Sequence, residues 1–127
     1  MNIGGRASFP GEDQDALTIE LRDGGDPETT RIIVSGEVDA DTAGQLQNSI
    51  VGAVSSHRYA RVEVDFHGVT FLDSNGIRTL VLCQTRARQF GCRLSVVDPH
   101  PFTRQVLRIS GLLDYLAVTE PAPVNTA

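Results

Sequence analysis

The sequence predicts an α/β domain built on a mixed sheet of four to five strands, with an antiparallel N-terminal pair and three or more helices. Three observations predict it. Short stretches of alternating apolar residues are interleaved with longer stretches whose apolar residues recur every three to four positions, the periods of strand and helix. The first two strand-like stretches are joined by a short Gly/Asp/Pro segment, which favours an antiparallel hairpin. The rest of the order is helix, strand, helix, strand, helix and a final extended segment, and strands separated by helices pair in parallel through right-handed crossovers.

Each element has its own signal. Leu17, Ile19 and Leu21 alternate with polar residues, so 16–22 is expected to be a half-buried strand. Asp23 to Glu28 is the hairpin loop, and the β-branched run Arg31 to Ser35 is the second strand. Asp41 is expected to cap a helix over 41–55, with Ala43, Leu46, Ile50 and Val54 as its apolar stripe and Gly44 and Gly52 weakening it. Val62, Val64 and Phe66 alternate with Glu63 and Asp65 in a third strand, which ends in a short loop. A helix over 75–90 would turn Ile77, Leu80, Val81, Ala87 and Phe90 inward and Arg78, Arg86 and Arg88 outward, with Gly91 ending it. Leu94 and Val96 mark a fourth strand. Pro99 and Pro101 suit the first turn of a third helix reaching Ser110, with Phe102, Val106 and Ile109 facing inward and Gly111 closing it. Tyr115 to Thr119 is a last short strand or extended segment.

A chain of 127 residues suits one domain, expected over 16–119, with a flexible leader over 1–15 and a tail over 120–127. The net charge is -5 and there is no Lys, so neither nucleic acid nor an anionic membrane is an expected partner. Two cysteines, Cys83 and Cys92, fit a reduced cytoplasmic protein better than a disulfide framework. Cys83 is expected to fill core space. No apolar run approaches the roughly 18 residues of a membrane span, and Met1 to Pro10 lacks the apolar stretch of a secretory signal. His57, His67 and His100 are scattered, have no ligand spacing and are expected in exposed loops, so neither a metal nor a cofactor is expected.

The informative stretch runs from Val62 into Asp73-Ser74-Asn75-Gly76, where a strand leads through a loop into a helix. An Asp or Ser in that place ordinarily caps the helix. Gly76 exceeds that need: inside the first turn it costs roughly 1 kcal/mol against Ala. Small residues at 74–76 leave the helix start open to close approach by another protein. Asp73 either orients the Ser74 hydroxyl or caps the helix. Asp39 either positions Ser74 for a partner or is a turn residue, whereas Asp41 is explained by capping.

These residues carry a resemblance. Phe71-Leu72-Asp73-Ser74-Asn75-Gly76-Ile77, preceded by Val64-Asp65-Phe66, looks like the signature of the STAS family of anti-sigma factor antagonists. Gly36-Glu37-Val38-Asp39-Ala40-Asp41-Thr42-Ala43 resembles that family's passage from second strand to first helix, and Ile109-Ser110-Gly111-Leu112-Leu113 its closing segment. Three segments in register cover 16–119. The resemblance implies the STAS fold and a non-enzymatic, bacterial, cytoplasmic partner-switching protein of transcription regulation, in stress response or sporulation. It implies that an anti-sigma factor that is also a serine kinase phosphorylates Ser74. The unmodified protein would bind that partner and free the sigma factor, which it touches only indirectly, and a serine phosphatase would restore the modified form. The implied partner-binding set is Asp39, Asp73, Ser74, Asn75, Gly76 and Arg78. Asn75 departs from the Ser, Thr or Ala common in the family, leaving Ser74 the only serine of the loop, and Arg78 is larger than the small residue some members carry. Arg86 and Arg88 are candidates for the rim of the same surface.

These residues admit two other readings. A STAS scaffold or sensor module in a larger signalling assembly, binding a small ligand or nucleotide, keeps the fold and changes the role. A hydrolase using Ser74 as nucleophile is disfavoured, because the loop supplies no evident base or oxyanion hole.

Overall fold

The computed structural model describes residues 16–120, so the expected leader and nearly all of the expected tail lie outside the described residues. The elements are β1 (Leu17–Asp23), β2 (Thr29–Val38), α1 (Ala43–Val54), β3 (Arg61–Leu72), α2 (Ser74–Gln89), β4 (Arg93–Val97) and α3 (Pro101–Ile109). The sheet order is β1-β2-β3-β4, with β1 antiparallel to β2 and the other pairs parallel. This is the mixed sheet with an antiparallel opening pair that the periodicities predict.

Strand alternation explains the core. Ile32, Val34, Val62, Val64, Phe66, Leu94 and Val96 point to one face and join Leu46, Ile50, Leu80, Cys83 and Ala87 of α1 and α2 in a continuous buried cluster. Intervening positions on the other face carry charge: Arg31 lies 2.8 Å from Glu63 and 3.9 Å from Asp65. Gly91 (φ 71°) and Gly111 (φ 75°) end α2 and α3 in the left-handed conformation that glycine adopts without a Cβ clash.

The structure corrects several expectations. β3 does not end at Phe66 and loop back; it stays paired with β2 as far as Val38↔Leu72, through register shifts that break the simple alternation. Gly68 makes this possible, since a Cβ there would lie 2.3 Å from Ser35 Oγ. α1 begins at Ala43 with Thr42 as its N-cap residue, not at Asp41. Tyr115 to Thr119 is a turn joined to the sheet by one bridge, Val97↔Thr119, rather than a fifth strand. Phe90 is 41% exposed, as the C-cap of α2.

α3 is rotated relative to expectation. Phe102 and Ile109 are 52% and 74% exposed, while Thr103 and Leu107 are fully buried and Val106 packs against the core. His100, half-buried, is the N-cap and its Nδ1 accepts from Phe102 N (3.1 Å). Thr103 Oγ1 donates to Val69 O (2.9 Å), which holds the 103/106/107 stripe against the sheet. His67 lies in β3, beside Asp98 (3.2 Å), not in a loop.

Candidate functional site

Parallel strands place the starts of the following helices at one sheet edge. Val38 and Leu72 are register partners at the ends of β2 and β3. The next residues are Asp39 and Asp73, and Asp73 N donates back to Val38 O (3.2 Å). The sequence-predicted residues Asp39 and Asp73 are therefore brought together on adjoining backbones.

Asp73 is the N-cap of α2, in an extended conformation. Its Oδ1 accepts from Asn75 N (2.9 Å) and Gly76 N (3.1 Å), and its Oδ2 from Asn75 Nδ2 (3.4 Å). Of the two roles left open for Asp73, capping is the one seen. Asn75 buttresses that carboxylate. Ser74 is the first helical residue, exposed, and among the described residues no hydrogen bond engages its hydroxyl. Arg78, one turn on and exposed, lies on the same side of α2.

Asp39 also acts locally. Its Oδ1 accepts from Asp41 N (2.9 Å) and Thr42 N (3.2 Å). Thr42 Oγ1 donates to Glu37 O (2.7 Å) and accepts from Asp39 N (3.0 Å). The side chain that fastens the entry to α1 is thus Asp39, whereas Asp41 is exposed and contributes its backbone N–H. This reverses the sequence expectation for the pair, because an Asx turn two residues upstream supplies the acceptor that Asp41 was expected to supply.

Gly76 is buried. A Cβ there would lie 2.5 Å from Leu72 Cδ1 and 2.7 Å from Val38 Cγ1. Its lack of a side chain is explained by close packing of α2 on the ends of β2 and β3, not by the approach of an external protein. Phe71, which opens the signature stretch but is absent from the implied partner-binding set, is 41% exposed immediately before the site. The register shift between Gly36 and Glu37 sets its orientation, which alternation alone does not reveal.

Capping limits what a phosphate on Ser74 would meet. Asp73 already occupies the Asn75 and Gly76 N–H groups, and Ile77 N is taken by Asp73 O (3.0 Å). Of the first-turn donors, only Ser74 N stays free of these bonds. A phosphoryl group would stand outward beside the Asp73 carboxylate.

Burial pushes the Cys83 thiol up to about 12, opposed by Arg86, and burial raises Cys92 as well. Among the described residues no cluster of His, Cys, Asp and Glu could hold a metal ion, and no helix is long and apolar enough to cross a membrane.

The family model described as Mlab, STAS domain matches residues 21–118. An anti-sigma factor antagonist from Mycobacterium paratuberculosis is 27% identical, with 84% of this chain and 87% of that chain covered at a TM-score of 0.70. The anti-sigma factor antagonist SpoIIAA in its unphosphorylated form is 22% identical, with 83% and 89% covered at 0.68. The Bacillus cell fate determinant SpoIIAA in the phosphorylated form is also 22% identical, with 83% and 92% covered at 0.64. The murine Solute Carrier 26 family member A9 anion transporter, 13% identical, matches 73% of this chain with 16% of its own length at 0.64. SpoIIAA and the transporter share the fold with this chain; their low identity carries no more than that.

Proposed function

This chain belongs to the STAS domain family, and from that premise we propose that it is a cytoplasmic anti-sigma factor antagonist switched off by phosphorylation of Ser74. The unmodified protein binds an anti-sigma factor that is also a serine kinase and so releases the sigma factor. A serine phosphatase reverses the modification. The domain binds rather than catalyses, and the kinase supplies the base and the ATP from which Ser74 Oγ takes the γ-phosphoryl group.

One observation carries this reading: Ser74 presents an exposed hydroxyl, unengaged by the described residues, at the first position of a helix whose cap is already complete. Ser74 is therefore dispensable for starting α2. Asp39, Asp73, Asn75 and Arg78 surround it as the partner-facing set, with Gly76 setting the depth at which α2 sits. The solved structure of SpoIIAA in a phosphorylated form supports the view that this fold accommodates the modification.

The switch follows from charge. Phosphorylation adds about -1.5 to -2 charges, placed here next to Asp73. An uncompensated charge enclosed in an interface costs on the order of 3–5 kcal/mol. At about 1.4 kcal/mol per decade, that is a loss of roughly 100- to 4000-fold in affinity with no change of fold.

The test is a pull-down beside a phosphorylation assay. Wild-type protein recovers a kinase-like anti-sigma factor, and that kinase with ATP adds one phosphate that Ser74→Ala does not receive. Phosphorylated protein that binds as tightly as unmodified protein overturns the reading. Recovery of other STAS proteins alone assigns the chain to a signalling scaffold instead.

A further inference from the structure

The end of α2 remote from Ser74 borders a cavity of about 220 Å3, lined by Gln84, Arg88, Arg93, Asp114 and Tyr115 among others. Gln84 is 3% exposed. Its Nε2 donates to Leu94 O (3.0 Å) and Tyr115 O (2.8 Å). Both partners are carbonyls, so the orientation of the amide is fixed. Its Oε1 receives no hydrogen bond from the described residues, and buried acceptors without donors are uncommon.

Two arginines share the lining with this acceptor. Among the described residues neither Arg88 nor Arg93 forms an ion pair, although Asp114 shares the lining. Arg93 also stands opposite Arg61 in the β3–β4 register, a like-charge pairing that repels. Arg88 is held in place, its guanidinium 4.6 Å from the Tyr115 ring centroid and the Tyr115 hydroxyl 3.0 Å from Thr85 Oγ1. A cation fixed before binding loses little freedom on binding.

We propose that this cavity binds a small anionic metabolite that carries a phosphate or carboxylate together with a hydroxyl or amine. Arg88 and Arg93 receive the anion, and Gln84 Oε1 accepts a hydrogen bond from the donor. The volume falls below the roughly 300–1,000 Å3 of drug-sized pockets, so the ligand is compact. The inference is independent of the role of Ser74.

The full chain is titrated with glycerol 3-phosphate, lactate, inorganic phosphate and glycerol, and amide and side-chain NMR signals are followed. Glycerol 3-phosphate or lactate should give saturable shifts at Gln84, Leu94 and Tyr115, which distinguishes the two anion classes. Inorganic phosphate and glycerol, each offering half of the recognised chemistry, should bind at least tenfold more weakly. The Arg88→Ala/Arg93→Ala variant alters two exposed residues, should keep the fold, and should lose the response at least tenfold. No saturable shift from either glycerol 3-phosphate or lactate up to about 10 mM, a Kd limit of only a few kcal/mol of binding, overturns the proposal. So does a response unchanged in the double variant.

Discussion

Asp39 and Asp73 are structural counterparts: each stands one residue past the Val38↔Leu72 pair, and each spends its carboxylate on the backbone N–H groups that follow it. Two parallel strands ending in register deliver two carboxylates and two helix starts to one edge. The carboxylates are engaged locally, whereas the exposed Ser74 hydroxyl at the same edge is engaged by none of the described residues.

Asp39 and Asp41 should therefore differ sharply. Asp39→Ala removes the acceptor for the Asp41 and Thr42 backbone N–H groups, and loss of a cap of this kind costs about 0.5–2 kcal/mol. Asp41→Ala removes an exposed side chain and should stay within about 0.5 kcal/mol of wild type. Urea unfolding of both variants checks this. A larger loss for Asp41→Ala would restore the capping role that the sequence suggests for it.

Gly76→Ala sets two effects against each other. Ala in the first turn of α2 gains roughly 1 kcal/mol of helix propensity. The new Cβ meets Leu72 Cδ1 at 2.5 Å and Val38 Cγ1 at 2.7 Å, in a site where Val38 is fully buried. Overpacking costs about 1–3 kcal/mol, so the net expectation is a loss, read as a lower urea midpoint at unchanged slope. A stabilised Gly76→Ala would mean that α2 shifts freely on the sheet.

Much of this was legible in the sequence, and the exceptions share a cause. Strands β1 and β4 and helices α1 and α2 follow from local periodicity, and the resemblance of the Phe71–Ile77 stretch to the STAS signature is what points to Ser74. The missed features are set by partners distant in sequence. Gly68 and Gly76 answer to Ser35 and Val38 across the β2–β3 seam. The far half of β3 is held by register shifts against β2, and the rotation of α3 accompanies the bond from Thr103 to Val69. The exchange of roles between Asp39 and Asp41 is different: both are good capping residues, and the sequence alone does not say which one the turn uses.

The two thiols should be inert in the folded protein. Burial raises both, Cys83 to about 12 from 9.0, and the thiolate is the reactive form. Iodoacetamide at about pH 8 should leave both unmodified in native protein and alkylate both in urea, read by mass spectrometry. The linkage has a definite sign. Above pH 9.0 the unfolded chain releases a proton that folded Cys83 keeps up to about 12. The contribution is therefore fully present below 9.0 and is lost as pH climbs to about 12. A shallower alkaline decline in stability for Cys83→Ala than for wild type checks this directly.

The rotation of α3 makes the last prediction. Had the helix presented Phe102, Val106 and Ile109 to the core, Ile109→Ser would cost as much as a core truncation. Instead Ile109 is 74% exposed and Leu107 fully buried. Leu107→Ala should cost about 2–5 kcal/mol through lost burial and the cavity left behind, while Ile109→Ser should remain within about 0.5 kcal/mol. Thr103→Val tests what orients the helix. It keeps the volume but removes the donor to Val69 O in a fully buried site, leaving a buried acceptor unpaired at a cost of about 1–3 kcal/mol. If Thr103→Val is neutral while Leu107→Ala is not, apolar packing alone sets the rotation of α3.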